Sequence, residues 1–266
     1  MIKRIVSALI GFPIVAVVLI FGNKYLVDAV VSIVSIMALY EYFHSFKQEK
    51  NPITFIAYIS AILIAFIHII PKEYISKITY AIIPTTVLIL FIQVVITNMK
   101  YNVKDIAIVL FGMCYIVLFL AFIPIIREMQ NGKILIWFVF ITAWGTDIFA
   151  YFIGRKIGKH KFTKISPNKS IEGCIAGTLG AIVCSLIYSI ICNSVFQTNF
   201  NYIIITIMAL VLSIIGQIGD LAASSIKRYT GEKDFSNLIP GHGGILDRMD
   251  SVIFIAPFAY FLLMLV

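Results

Sequence analysis

Long apolar stretches alternate with short polar ones along the whole chain. Most of these stretches are close to the roughly 20 residues that one helical crossing of a bilayer requires. We therefore expect an all-α polytopic membrane protein, because only helices and closed barrels satisfy every backbone polar group in lipid. The nine predicted spans are residues 5–22, 25–43, 53–70, 80–97, 106–126, 134–153, 173–195, 201–221 and 246–266.

Composition agrees with this pattern and excludes a soluble protein. Hydrophobic residues make up 61% of the 266 residues and charged residues 13%, whereas soluble domains average about 45–50% and about 25%. Lys3 and Arg4 precede the first span as in a secretory signal. No small-residue cleavage site follows that span, so we expect a retained helix.

Basic residues set the expected orientation. With the amino terminus in the cytosol, 16 of the 21 Lys and Arg residues fall in cytosolic segments and 5 fall outside. This distribution follows the positive-inside rule, and the carboxy terminus then lies outside. The rule also accounts for the net charge of +8 without a nucleic-acid partner.

Polar chemistry is concentrated in the second half of the chain. Residues 1–133 contain five spans with short connections and form the predicted scaffold. Residues 134–266 form the predicted catalytic region, and their two cytosolic loops, 154–172 and 222–250, carry 10 of the 21 basic residues.

Four aspartates of this region lie at or near membrane depth, where an ionised group is costly and marks a functional site. Asp147 and Asp220 lie near the inner ends of two spans, and Asp247 and Asp250 lie in the first turn of the last span. All four would share one shallow layer if those spans pack together. Alternatively, each acid only pairs with a basic residue at the interface. We expect that second, plainer role for Glu41, which lies near an end of the second span.

Two further patterns concern helix faces. One stripe of the span at 201–221 and its extension is polar and must face protein or water. Its members are Gln217, Asp220, Ser224 and Lys227. The span at 173–195 begins with small residues at every fourth position, which predicts close helix packing. These are Gly173, Gly177 and Ala181.

A glycine-rich turn, Pro240-Gly241-His242-Gly243-Gly244, leads into Asp247-Arg248-Met249-Asp250. Such a turn before a helix offers backbone N–H groups to an anion, but the aspartates would repel that anion. A divalent cation removes this conflict, since Mg²⁺ binds carboxylates together with substrate phosphates. The turn therefore predicts a metal–phosphate site.

The segment from residue 224 to residue 250 closely resembles the signature of the phosphatidate cytidylyltransferases, the CDP-diacylglycerol synthases. The resemblance is carried by Ser224-Ser225-Ile226-Lys227-Arg228, Lys233-Asp234, Ser236, Ile239-Pro240-Gly241-His242-Gly243-Gly244-Ile245 and Asp247-Arg248-Met249-Asp250. A second segment, Asp147 to Gly173, resembles the other polar stretch of that family, with departures at Asn168 and Ile171.

The resemblance implies that CTP and phosphatidic acid react to CDP-diacylglycerol and pyrophosphate at the inner face of the membrane. It implies Mg²⁺, alone or with a second metal or a monovalent cation, and it is compatible with a homodimer. The short chain is typical of a bacterial enzyme of the cytoplasmic membrane.

The resemblance also implies roles for individual residues. The expected catalytic residues are Asp220, Lys227, Arg228, His242, Asp247 and Arg248. The expected metal ligands are Asp220, Asp247, Asp250 and Asp147. The expected substrate-binding residues are Ser166, Lys169, Glu172, Ser224, Lys233, Gly241, Gly243 and Gly244.

Two other functions stay open. A CTP-dependent prenol kinase, or a cytidylyltransferase for a prenyl phosphate or an ether lipid, would need the same cations. A transporter or channel would also have nine spans. Its ionisable residues would more commonly lie near the midplane, within inverted repeats, and no repeat is evident here.

Overall fold

The structure, a computed structural model, describes residue 13 and residues 15–238 and 243–266. These residues form helices and loops, with no β-strand among them. The helices are α1 (Lys24–Ser45), α2 (Phe55–Ile64), α3 (Lys72–Ile96), α4 (Val103–Gly112), α5 (Phe122–Arg127), α6 (Gly132–Ile157), α7 (Ile171–Phe196), α8 (Tyr202–Thr230) and α9 (Leu246–Leu263). A 3-10 turn, Pro52–Thr54, leads into α2, and a π-helical segment, Met113–Leu118, connects α4 towards α5.

Five helical stretches of the described chain are long and apolar enough to cross a membrane. They are Lys24–Ser45, Val103–Arg127, Gly132–Ile157, Ile171–Phe196 and Tyr202–Thr230. The stretches Pro52–Ile64 and Tyr80–Ile96 are apolar but shorter. The all-α class is confirmed, whereas nine crossings stay a prediction. Half of the first predicted span, and Lys3 and Arg4 before it, lie outside the described residues.

Several predicted boundaries were wrong. The span expected at 53–70 is helical only as far as Ile64, and turns occupy residues 65–69. Conversely, α8 continues beyond residue 221, so residues 222–230 belong to a helix and not to a loop. Hydropathy shows where the apolar surface ends, but the helix itself can continue further. Lys and Arg are good helix formers and stabilise the carboxy-terminal turn of a helix. The helix ends at Gly231, whose φ of 82° suits glycine.

The other polar loop is also shorter than expected. α6 continues to Ile157 and α7 begins at Ile171, which leaves residues 158–170 as the connection. Ser170 caps α7 by accepting a hydrogen bond from the Gly173 N–H. Such a cap satisfies one of the backbone donors that a helix start leaves open.

The described chain forms two compact units. The first contains the described residues of Met1–Pro124 and of Asp234–Leu246. The second contains Ile125–Lys233 and Asp247–Val266. The polar segment between α8 and α9 is thus divided, and the described glycines Gly243 and Gly244 belong with the first unit.

In the first unit, α1 packs against α2, and the π-helical segment packs on both. Their contact is apolar and almost fully buried. Its largest buried side chains include Leu39, Tyr42, Phe43 and Ile116. One acid of α1, Asp28, lies within 2.7 Å of the Nδ1 atom of His68.

In the second unit, α6, α7 and α8 pack against one another, and α9 approaches α8 at Gly216 and Gly219. The packing role predicted for the small residues of α7 is confirmed. A Cβ atom added at Gly177 would lie 2.7 Å from the carbonyl oxygen of Thr146 on α6. Glycine here allows the two backbones to approach closely.

We expect Gly177→Leu to separate α6 from α7 and to lower the free energy of unfolding by about 1–3 kcal/mol, the usual cost of overpacking. The midpoint of thermal aggregation in detergent, followed by size-exclusion chromatography, measures this loss. Leu179→Phe is the matched control, because Leu179 is an exposed residue of the same helix. Equal midpoints for both variants would contradict the packing role.

Candidate active site

A partly buried network of polar side chains connects α6, α7 and α8 near the charged residues. The Thr146 hydroxyl donates to Ser213 Oγ at 2.8 Å, and Ser213 donates to Thr178 Oγ1 at 3.2 Å. The Gln217 amide donates to Thr178 Oγ1 at 3.0 Å and to the Cys174 carbonyl at 3.3 Å. Sequence reasoning found Gln217 but missed the three hydroxyls. Ser213 lies one turn before Gln217 and could have been recognised as part of the same stripe.

Asp220 follows one turn after Gln217 on α8 and contacts a lysine from the 158–170 connection. Lys169 Nζ lies 2.5 Å from Asp220 Oδ2 and 3.5 Å from the backbone oxygen of Gln217. Both side chains are partly exposed. The pair attaches the end of the connection to the polar stripe of α8.

A second ion pair joins the end of α8 to the start of α9. Lys227 Nζ lies 2.6 Å from Asp247 Oδ1, and the two residues are 9% and 6% exposed. Charges this well buried persist only when they are paired, because an uncompensated partner would be strongly destabilising. Ser224, one turn before Lys227, is also buried.

The remaining two aspartates lie close to these pairs. Asp147 interacts electrostatically with Asp220, Lys169 and Arg248. Asp250 interacts with Asp220, Asp147 and Lys227, and its Oδ1 accepts a hydrogen bond from the Ser251 N–H. The structure thus gathers carboxylates from α6, α8 and α9. We call the four aspartates and the three basic residues beside them the charged cluster. Its members are Asp147, Lys169, Asp220, Lys227, Asp247, Arg248 and Asp250.

The 158–170 connection folds back on itself beside this cluster. The Phe162 N–H donates to the Lys169 carbonyl, and the Ile171 N–H donates to the His160 carbonyl. The Glu172 carboxylate accepts from the His160 N–H and lies 2.7 Å from His160 Nδ1. Glu172 therefore holds the connection in shape.

Other predicted site residues are distributed more widely. Ser166 contributes a backbone carbonyl to the turn that ends at Lys169. Arg228 is exposed and donates from Nε to the Ile165 carbonyl at 3.4 Å. Lys233 is exposed, and Gly243 and Gly244 belong to the first unit. Gly241 and His242 lie outside the described residues.

Among the described residues, no group of three or more His, Cys, Asp or Glu side chains has the geometry to hold a metal ion. Mg²⁺ needs fewer protein ligands, since it usually takes one or two carboxylates and completes its shell with water and substrate phosphates. Asp220 and Asp247 each contact a cation already, an ammonium group. This oxygen-only donor set fits Mg²⁺.

The model of the cytidylyltransferase family matches residues 2–266. The chain belongs to the cytidylyltransferase family. One relative is the phosphatidate cytidylyltransferase of Bacillus subtilis (strain 168). It is 34% identical to this chain over 232 residues, which cover 84% of each chain. That of Staphylococcus haemolyticus is 39% identical over 176 residues, 66% of this chain and 65% of the relative. That of Staphylococcus aureus (strain COL) is 38% identical over 170 residues, 64% and 63%. The matched part thus spans less than two thirds of both staphylococcal relatives. With its apolar helices, this family member is a multi-pass membrane protein.

Replacing Glu172 tests its role in the 158–170 connection of this cytidylyltransferase. We expect Glu172→Gln to weaken the contact with His160 and to increase trypsin cleavage at Lys159, Lys161 and Lys164 severalfold. Peptide mass spectrometry of the detergent-solubilised protein measures the cleavage rates. Glu232→Gln replaces an exposed acid beyond α8 and should leave them unchanged. Similar rates in both variants would show that Glu172 does not hold the connection.

Proposed function

We propose that this chain is a phosphatidate cytidylyltransferase, which converts CTP and phosphatidic acid to CDP-diacylglycerol and pyrophosphate. The charged cluster in a member of the cytidylyltransferase family is the observation that carries the proposal. Both substrates are polyanions, so bringing them together requires cations, and the cluster offers Lys169, Lys227 and Arg248 beside its carboxylates. Relatives with this name support the choice of substrates.

The proposed reaction needs little acid–base chemistry from the protein. A phosphate monoester has a second pKa of about 6, so the lipid phosphate has largely lost its second proton at neutral pH. One of its oxygens attacks the α-phosphorus of CTP in line, the bond to the β-phosphate breaks, and pyrophosphate leaves with the electron pair. Catalysis then consists of positioning and charge stabilisation, as in other phosphoryl transfers.

We assign residues of the charged cluster, together with the nearby Arg228, to these tasks. Lys227 and Arg228 bind the lipid phosphate or the triphosphate, and Lys169 binds the nucleotide. Asp220 and Asp247 would hold Mg²⁺, and the Asp250 and Asp147 carboxylates, which lie near Asp220, would add negative charge around the ion. When bound, Mg²⁺ would neutralise and polarise the phosphates.

Release of pyrophosphate by the purified protein in detergent tests the proposed function. Reactions contain phosphatidic acid, CTP and Mg²⁺, and parallel reactions omit each component. We expect release only in the complete mixture, with an equal amount of CDP-lipid. A panel that includes prenols, prenyl phosphates and ether-lipid phosphates is run alongside. Preference for one of these, or anion transport into vesicles without CTP turnover, would contradict the proposal.

We expect Asp220→Asn and Asp247→Asn to lower the rate at least about 100-fold, the usual cost of removing one electrostatic contact to the transition state. Each variant should still insert into the membrane in normal amount. Glu73→Gln, which removes an exposed acid of α3, is the control and should keep its activity. Full activity in either aspartate variant would remove that residue from the site.

The topology that we propose has nine spans, with the amino terminus and the charged cluster on the cytosolic side of a bacterial cytoplasmic membrane. A homodimer is compatible with it. The positive-inside distribution of basic residues supports this orientation. A reporter enzyme fused after Val266 should report the outer side. A cytosolic signal from that fusion would contradict the nine-span arrangement.

A further inference from the structure

Glu41 makes an unusual set of contacts in the first unit. It lies on α1, four residues before the end of the helix, and only 3% of it is exposed. Its carboxylate accepts three hydrogen bonds, two from the polar segment that leads into α9 and one from the first residue of α9. The donors are the Ser236 hydroxyl at 2.6 Å, the Ile245 N–H at 2.9 Å and the Leu246 N–H at 2.8 Å.

These bonds hold both sides of the glycine-rich turn. Ser236 precedes the turn, whereas Ile245 and Leu246 follow it and open α9. The first N–H groups of a helix lack partners within the helix, and a carboxylate there also interacts favourably with the helix dipole. Glu41 therefore satisfies backbone donors at the start of α9.

Gly244 shows how closely the carboxylate approaches the backbone. A Cβ atom added at Gly244 would lie 2.6 Å from Glu41 Oε1 and closer still to Oε2. A side chain at this position would therefore displace the Glu41 carboxylate from its present place. The neighbouring Gly243 favours glycine because of its backbone conformation, since other residues rarely adopt its φ of 79°.

We propose that Glu41 is a positioning residue of the active site, an inference that rests on the proposed function. Leu246, whose N–H donates a hydrogen bond to Glu41, directly precedes Asp247 in the chain. By fixing residues 245 and 246, Glu41 sets where α9 begins and so holds the Asp247 carboxylate where the reaction needs it. Glu41 acts through Asp247 and need not touch either substrate.

A carboxylate is the side chain that this arrangement requires. Both oxygens accept hydrogen bonds, and a glutamine would replace one of them by an NH₂ group that faces a donor. An aspartate would be shorter by one methylene group and would draw the carboxylate away from the backbone. Neutral or shorter substitutes therefore release at least one end of the turn.

Glu41→Gln tests the inference in full-length protein in detergent. We expect faster amide hydrogen exchange in peptides covering residues 243–250, with unchanged exchange in α7. We also expect a 10- to 100-fold fall in kcat, on the order of the effect of a misplacement of about 1 Å. The Mg²⁺ concentration for half-maximal rate should rise as well. A merely structural defect would reduce the active fraction without moving that concentration.

Asp28→Asn is the matched control, because Asp28 is also a buried carboxylate of α1 and lies against His68 instead. It should leave the half-maximal Mg²⁺ concentration unchanged, even if the thermal midpoint falls. Should Glu41→Gln fail to fold, Ser236→Ala and Gly244→Ala decide. Both substitutions disturb the contact with the Glu41 carboxylate, and both should raise the Mg²⁺ concentration for half-maximal rate.

The outcomes separate the two proposals. Wild-type protein that forms no CDP-lipid would overturn the proposed function. Active wild-type protein whose Glu41, Ser236 and Gly244 variants keep both the hydrogen exchange and the Mg²⁺ dependence would overturn the positioning role alone. A fall in kcat at an unchanged half-maximal Mg²⁺ concentration would also overturn it.

Discussion

Charged groups held between apolar helices require partners of opposite charge, and this requirement organises the second unit. Lys169 with Asp220 and Lys227 with Asp247 each join two separate elements of the chain. At the buried Lys227–Asp247 pair an unpaired charge would cost several kcal/mol, so this pair fixes where α8 and α9 meet. The same pairs leave cations beside carboxylates, which is the environment that two polyanionic substrates need.

Close backbone contacts beneath the pairs support this arrangement. Glycines let α6 approach α7 and let α8 approach α9, so the side chains above them are held on closely packed helices. The hydroxyl and amide network around Ser213 satisfies polar groups that would be costly if left alone inside the bundle. In the first unit, Glu41 has an analogous role for the backbone that leads to Asp247.

Hydropathy and the cost of buried charge made much of this structure predictable from sequence. The apolar pattern located α6, α7 and α8, and the expense of intramembrane acids singled out the aspartates. Helix ends were less predictable, because α8 continues as a helix after its surface becomes polar. The hydroxyls of Thr146 and Ser213 were missed because such residues are ordinary in membrane helices. Glu41 was expected to have a plain interface role, since its partners lie 195 to 205 residues away in the chain.

In the proposed reaction the protein supplies positioning and charge neutralisation, and the nucleophile is the lipid phosphate. The most direct measurement is the stereochemical course at the α-phosphorus, with CTP made chiral there by a sulfur atom. A single in-line attack by the lipid phosphate predicts a CDP-lipid with inverted configuration. Retention would mean two displacements through a covalent nucleotidyl-enzyme, and it would contradict the account.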